Sequence, residues 1–312
     1  MPLDPIVKGF LDQMKAMGGP KMSEAGAVAG REQFNALMQL VGPRDVPVGR
    51  IENKTVPTPA GGVPIRVYTP VAAGADPMPA LVYFHGGGFV IGNIESHDGL
   101  CRMLANEGGL RVVSVDYRLA PEHKFPAAFD DAFAALAWVA ANAAEIGVDA
   151  NRIAVGGDSA GGALAAQVAQ AAKARGGIAL AAQMLLFPVT QIGAQTASLK
   201  EFAVGYFLEK ETLDWFYTSY VPAGADTNDP RLSPLRSKDV SGLPPAFIML
   251  GGFDPLHDEG MQYADKLRAA GVKVTIADYG DMIHCFVYLQ SVLPQARDAL
   301  SGAAKAVAAM LG

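Results

Sequence analysis

The chain has 312 residues, of which 50% are hydrophobic and 18% charged, a balance that favours a large folded core over disorder. Its formal net charge is −6 and it lacks a Lys/Arg-rich run, so we expect no nucleic-acid binding. Two cysteines, Cys101 and Cys285, are too few for a disulfide framework and suggest no metal site, and we expect reduced thiols in a cytoplasmic protein.

The first 47 residues are predicted to form two helices. Asp4 is a candidate N-cap, and Pro5 suits the first helical position. Ser23 is a candidate cap of the second helix. The apolar residues at helical spacing are Ile6, Phe10, Leu11, Met14 and Met17, then Val28, Phe34, Leu37, Met38 and Val41. Such stripes either cover a core or bind a membrane. We favour the core, and since no apolar run has the roughly 18 residues of a spanning helix, we expect no stable membrane association.

From about residue 48 the pattern changes to strands that alternate with helices. A hairpin is predicted from two strand-like segments around a turn at 59–62. Further strands are predicted at 81–84, 111–115, 152–156, 182–187, 246–250 and 272–276, and helices at 127–144, 160–174, 259–270 and from about 294. This alternation predicts the α/β class, a mostly parallel sheet with helices on both faces and antiparallel strands at one edge. An aromatic-rich helical insertion at about 190–225 interrupts the alternation.

A G-x-S-x-G pattern is centred on Ser159, between a predicted strand and a predicted helix. In that context the pattern is typical of a nucleophile elbow, a tight turn that exposes its serine. The alternative is a phosphate-binding turn, but the chain has no G-x-x-x-x-G-K-[ST] pattern and no lysine near this turn. Ser159 is therefore the candidate nucleophile.

A serine nucleophile needs a histidine base and an acid that orients the base. Of the histidines after Ser159, His257 lies on the turn into a helix, whereas His284 follows the last strand and is the candidate base. Asp254, Asp258 and Asp281 are candidate acids. Asp254 is favoured because it leaves a strand end through two glycines.

Three consecutive glycines at 86–88 follow the strand at 81–84 and His85. Without a Cβ, glycine lets backbone N–H groups turn towards a substrate, as an oxyanion hole requires. The N–H of Ala160, after the nucleophile at a helix start, would complete such a hole. A flexible loop is the alternative.

Four motifs together resemble the bacterial hormone-sensitive-lipase family of α/β-hydrolases, over most of the chain from about residue 48. They are His-Gly-Gly-Gly at 85–88, Asp-Tyr-Arg-Leu-Ala-Pro-Glu at 116–122, Gly-Asp-Ser-Ala-Gly-Gly at 157–162 and Asp-Pro-Leu at 254–256. The resemblance implies an α/β-hydrolase fold with a catalytic domain at 48–312. It also implies a helical cap formed by residues 1–47 and the insertion at about 190–225.

The resemblance further implies a carboxylesterase that needs neither metal nor cofactor. Its implied triad is Ser159, Asp254 and His284, and its implied oxyanion hole consists of the N–H groups of Gly87, Gly88 and Ala160. Two positions depart from the common family pattern, because His257 replaces an arginine and Cys285 replaces a glycine. Cys285 narrows the site, makes it thiol-sensitive, or is a buried inert cysteine, and we favour the last.

We therefore expect hydrolysis of short- to medium-chain acyl esters through an acyl-enzyme, with a small-molecule ester as the partner. The alternatives are a receptor-like ligand-binding protein on the same fold, or an amide or lactone hydrolase. Association into a homo-oligomer stays open. The hypothesised walls of the acyl pocket are Phe10, Met14, Phe34, Phe207, Trp215 and Phe216.

Overall fold

The computed structural model describes residues 1–43 and 45–312, and in this part of the chain eight strands form one sheet. The strands are β1 (Arg50–Thr58), β2 (Gly61–Thr69), β3 (Met78–Phe84), β4 (Arg111–Val115), β5 (Val148–Asp158), β6 (Ala182–Leu186), β7 (Ala246–Phe253) and β8 (Val274–Ile283). Their order is β1-β2-β4-β3-β5-β6-β7-β8. Strand β2 is antiparallel to its neighbours β1 and β4, and all other neighbours are parallel. The predicted α/β class, parallel sheet and edge hairpin are confirmed.

The helices are α1 (Pro5–Met17), α2 (Met22–Val41), α3 (Asp98–Gly108), α4 (Ala127–Ala141), α5 (Ala160–Arg175), α6 (Ala197–Glu201), α7 (Lys210–Tyr220), α8 (His257–Ala269) and α9 (Pro294–Leu311). The Asp4 cap is confirmed, since its Oδ1 accepts the N–H groups of Ile6 and Val7 at 2.7 and 3.1 Å. Helix α3 was not predicted.

Two expectations for α2 are wrong. The helix begins after Lys21, so Ser23 is not its N-cap, and the Ser23 hydroxyl donates to Glu211 instead. Val28 is 66% exposed, while Phe34 and other residues further along the stripe are buried. The reason is their spacing, because six residues at 3.6 per turn place Val28 and Phe34 on different faces of the helical segment that follows the kink at Gly26.

Helices cover both faces of the sheet. Every residue of β4 and of β6 is buried, and because successive side chains point to opposite faces, both faces are packed. Helix α3 packs against α9, and α4 packs against α5. The sites of such sheets lie beyond the carboxyl ends of the parallel strands.

The N-terminal helices contact the segment between β6 and β7. Helix α2 packs on α7, and Lys21 forms an ion pair with Glu211. Within the described residues, no helix combines the length and the apolar character that crossing a membrane requires. The division of the chain into a cap and a catalytic domain stays a prediction.

Candidate active site

Ser159 occupies the turn between β5 and α5. Its φ of 54° and ψ of −117° are strained for a residue with a side chain. The turn is tight, because a Cβ on Gly161 would lie 1.9 Å from the carbonyl oxygen of Phe84. The predicted strand–serine–helix geometry is thus present.

Asp254 and His284 directly follow the carboxyl ends of β7 and β8, at the same edge of the sheet as Ser159. His284 Nε2 lies 3.0 Å from Ser159 Oγ, and His284 Nδ1 lies 2.7 Å from Asp254 Oδ2. The second oxygen of Asp254 accepts the N–H of Leu256 at 2.8 Å. All three side chains are buried. The structure therefore brings together the three residues that the chain order suggested.

The other acidic candidates have different partners. The carboxylate of Asp258 accepts the N–H of Ser198 at 2.9 Å and lies 3.4 Å from the ring of His257. The backbone carbonyl of Asp281 accepts the N–H of Asp4 at 3.0 Å. Asp254 alone of the three sequence candidates bonds to His284 in the described part of the chain.

Residues 86–91, here called the glycine loop, pass beside Ser159. Gly87 and Gly88 have φ values of 115° and 60°. The carbonyl oxygen of Gly87 accepts the N–H groups of Val90 and Ile91 at 3.0 and 2.9 Å. Among the described residues, none accepts a hydrogen bond from the N–H groups of Gly87, Gly88 and Ala160. These three groups are free to bind a developing negative charge.

Gly88 has no room for a side chain. A Cβ at this position would lie 2.1 Å from Cγ of Phe216 on α7. The aromatic ring of Phe216 therefore packs directly on the backbone of the glycine loop. Next to it, Phe89 stacks on Tyr220 with ring centroids 4.0 Å apart.

Asp158, immediately before the nucleophile, holds the glycine loop in place with its carboxylate. Its Oδ1 accepts the N–H of Gly86 at 3.0 Å and the hydroxyl of Tyr83 at 2.6 Å, and its Oδ2 accepts the hydroxyl of Tyr288. Burial raises the pKa of Asp158, but nearby His97 and the hydroxyl donors hold it below its usual value. The buried carboxylate thus stays ionised and joins the loops that carry Ser159, Gly86 and Tyr288. Sequence reasoning missed this role, although a charged residue ending an apolar strand was a usable signal.

His85 is a buried neutral histidine. Burial and, second to it, neighbouring His97 lower its pKa to about 3. Its ring stacks on Tyr117, whose hydroxyl donates to the His85 carbonyl at 2.7 Å. These contacts hold the start of the glycine loop in place.

The hypothesised pocket residues occupy different places. A small cavity of about 10 Å³ beside His284 is lined in part by Phe10, Phe207 and Cys285. Phe10 and Phe207 contact each other, with ring centroids 5.9 Å apart.

The remaining four pocket candidates do not line this cavity. Phe34 packs against His97 and Tyr288, and Trp215 packs against Phe216. Phe216 covers Gly88, and Met14 is half-buried on α1.

Cys285 adjoins His284 and has a φ of 60°, unusual for a residue with a side chain. Burial raises the pKa of its thiol well above the usual value, so the thiol stays protonated and unreactive. Cys101 is also a free, buried cysteine. Over residues 1–43 and 45–312, no three His, Cys, Asp or Glu side chains are grouped so as to hold a metal ion.

Comparison with known proteins supports the same class of chemistry. A family profile described as alpha/beta hydrolase fold matches residues 81–288. The carboxylic ester hydrolase LipN of Mycobacterium tuberculosis is 43% identical over 294 residues, covering 92% of this chain and 77% of that protein. An ethyl acetate hydrolase of Pseudomonas putida is 38% identical over 311 residues, 96% of each chain. The solved structure of the ester hydrolase EH1AB1 from the metagenome of Lake Arreo, bound to a bipyridine phosphonate derivative, is similar with a TM-score of 0.96 and 45% identity over 98% of each chain.

Proposed function

The chain belongs to the alpha/beta hydrolase fold family and is a carboxylic ester hydrolase, and from this premise we propose that it cleaves short- to medium-chain acyl esters with Ser159, His284 and Asp254 as its catalytic residues. One observation carries the proposal. An unbroken line of hydrogen bonds runs from Asp254 Oδ2 through the His284 ring to Ser159 Oγ, at 2.7 and 3.0 Å. This is the arrangement that turns a serine hydroxyl into a nucleophile.

In the proposed reaction, His284 Nε2 takes the proton of Ser159 as Oγ attacks the acyl carbon. Asp254 holds the ring and stabilises its protonated form. The N–H groups of Gly87, Gly88 and Ala160 bind the tetrahedral oxyanion. The ring then returns the proton to the leaving alcohol, and water hydrolyses the acyl-enzyme by the same steps.

The cavity beside His284 supports a limit on acyl length. Phe10 and Phe207 line it together with Cys285, and its free space is only about 10 Å³. A buried CH₂ contributes about 0.8 kcal/mol to binding only while the cavity has room for it. The name of one relative, ethyl acetate hydrolase, is consistent with a small ester substrate.

A series of p-nitrophenyl esters from acetate to palmitate tests the chain-length proposal. We expect kcat/KM to peak between butyrate and octanoate and then to fall. Phe207→Ala should move the peak to longer chains. Phe202→Ala is the matched control, because Phe202 packs on Tyr206 and Phe253 and does not line the cavity. A maximum at palmitate, or strong activation on emulsified triglycerides, contradicts the proposal.

The same assay separates the alternatives. A receptor-like protein would release no p-nitrophenol, and an amide or lactone hydrolase would prefer p-nitroanilides or lactones over the matched esters. The cytoplasmic location and the homo-oligomer stay predictions.

A further inference from the structure

The side chain of Arg31 on α2 reaches the glycine loop. Its Nε donates to the carbonyl oxygen of Val90 at 2.8 Å, and its Nη2 donates to the carbonyl oxygen of Ala120 at 2.9 Å. Both Nη atoms also donate to the carboxylate of Glu122, at 2.9 and 2.6 Å. The proposed reaction makes no use of this cation.

The bond to Val90 begins a line of hydrogen-bonded peptide groups. The Val90 carbonyl shares a peptide unit with the N–H of Ile91, and that N–H donates to the carbonyl oxygen of Gly87 at 2.9 Å. The Gly87 carbonyl shares the next unit with the N–H of Gly88. Because C=O and N–H point in opposite directions in a planar trans peptide, holding each oxygen also sets the direction of its N–H. The line ends at the N–H of Gly88, one of the proposed oxyanion donors.

A cation at the start of such a line acts on its far end in two ways. Each hydrogen bond polarises the next, so a guanidinium on the Val90 oxygen makes the last N–H a stronger donor. The bonds also restrict the backbone conformations of Gly87 and Gly88, which are many because glycine has no side chain. Both effects favour a tetrahedral oxyanion more than a neutral ester.

We propose that Arg31 is a positioning residue that orients and polarises the N–H of Gly88 through the peptide units of Val90–Ile91 and Gly87–Gly88. This inference rests on the proposed function, because it assumes that Gly88 binds the oxyanion. Arg31 therefore acts on kcat without touching the substrate.

A purely structural role for Arg31 makes a different prediction. The Arg31 and Glu122 side chains are 26% and 48% exposed, and ion pairs that exposed contribute little to stability. The ion pair Lys21–Glu211 also links the start of α2 to another helix, α7, and its side chains are 53% and 51% exposed. Neither residue bonds to the glycine loop. Lys21→Met is therefore a matched control for loss of an exposed ion pair at the N-terminus of α2.

The test compares Arg31→Met, Arg31→Lys and Lys21→Met in the full chain. For each variant, kcat and KM for p-nitrophenyl butyrate, the inhibition constant of a butyl trifluoromethyl ketone and the Tm are measured. Because the donor is weakened and not removed, Arg31→Met should lower kcat by about tenfold, less than the 10²–10³-fold that loss of an oxyanion donor costs, with little change in KM. Affinity for the ketone, which forms a tetrahedral oxyanion on serine, should fall by the same factor.

Arg31→Lys keeps the positive charge and should recover most of the loss, whereas Lys21→Met should leave kcat and ketone affinity unchanged. Arg31→Gln replaces Arg31→Met should that variant not fold. The proposal is overturned if the uncharged variant keeps wild-type kcat, if Lys is no better than Met, or if Lys21→Met loses as much activity. In these cases an inactive Ser159→Ala leaves the proposed function standing, whereas an active Ser159→Ala rejects both.

Discussion

Replacing Asp254 with asparagine should inactivate the enzyme without unfolding it, and the hydrogen bonds show why. Both carboxylate oxygens act as acceptors, one from His284 Nδ1 at 2.7 Å and one from the N–H of Leu256 at 2.8 Å. An amide has one acceptor and one donor group for these two positions. If its oxygen faces Leu256, its NH₂ faces His284, and the ring must carry its proton on Nε2, opposite Ser159. Nε2, the ring nitrogen that faces Ser159, then has no lone pair with which to accept the serine proton.

The opposite orientation of the amide is disfavoured. Its NH₂ would face the N–H of Leu256, leaving two buried donors without an acceptor at a cost of about 1–3 kcal/mol. The inactive tautomer therefore dominates. By analogy with serine proteases, kcat near neutral pH should fall by about 10⁴, or about 5.5 kcal/mol in activation free energy.

The assay is kcat for p-nitrophenyl butyrate together with Tm, for the three variants Asp254→Asn, Asp258→Asn and Asp281→Asn. Asp258 bonds to Ser198 and adjoins His257, so its variant should lose some stability but keep kcat within about threefold. Asp281→Asn should be near wild type in both. An active Asp254→Asn beside an inactive, folded Asp258→Asn or Asp281→Asn would refute this reasoning.

Two further predictions concern the glycine loop and a buried carboxyl. Gly88→Ala should lower kcat about 10²-fold, because the new Cβ would lie 2.1 Å from Phe216 Cγ at a φ of 60°. Gly109→Ala is the control for backbone strain and should keep kcat, because Gly109 has a φ of 59° but open space for a Cβ. Equal kcat losses in both would contradict this. Burial raises the pKa of Glu259 to about 8 from a usual 4.5. Between these two pH values the folded state binds more protons than the unfolded state. The free energy of unfolding therefore falls as pH rises, by up to roughly 1.4 kcal/mol per pH unit. In denaturant unfolding at several pH values, the free energy of unfolding of Glu259→Gln should increase relative to that of wild type as pH rises. A difference that does not depend on pH would reject this prediction.

The sequence predicted those features that depend on local pattern or chain order. The alternation of apolar strands with helices specified the sheet, and glycines around Ser159 specified the turn between β5 and α5. Because parallel strands end at one edge, the order of Ser159, Asp254 and His284 was enough to suggest that they meet.

Features that depend on contacts between distant segments were not predictable in this way. Nothing near Arg31 in the chain indicates that its side chain reaches Val90, and nothing near Asp158 indicates a bond to Tyr288. The kink at Gly26 within α2 was likewise not evident from the spacing of apolar residues. The positions of Phe34 and Trp215 away from the cavity beside His284 likewise depend on how α2 and α7 pack.

The most direct test of the central proposal is the reaction of the wild type and of Ser159→Ala with a fluorophosphonate, followed by intact-mass and peptide mass spectrometry. Wild type should gain one phosphonyl group per chain, located on Ser159, as esterase activity disappears. Ser159→Ala should gain none and should have kcat lower by about 10⁴ or more, with an unchanged Tm. Labelling of another residue, or near-normal turnover by Ser159→Ala, would contradict the assignment of Ser159 as the nucleophile.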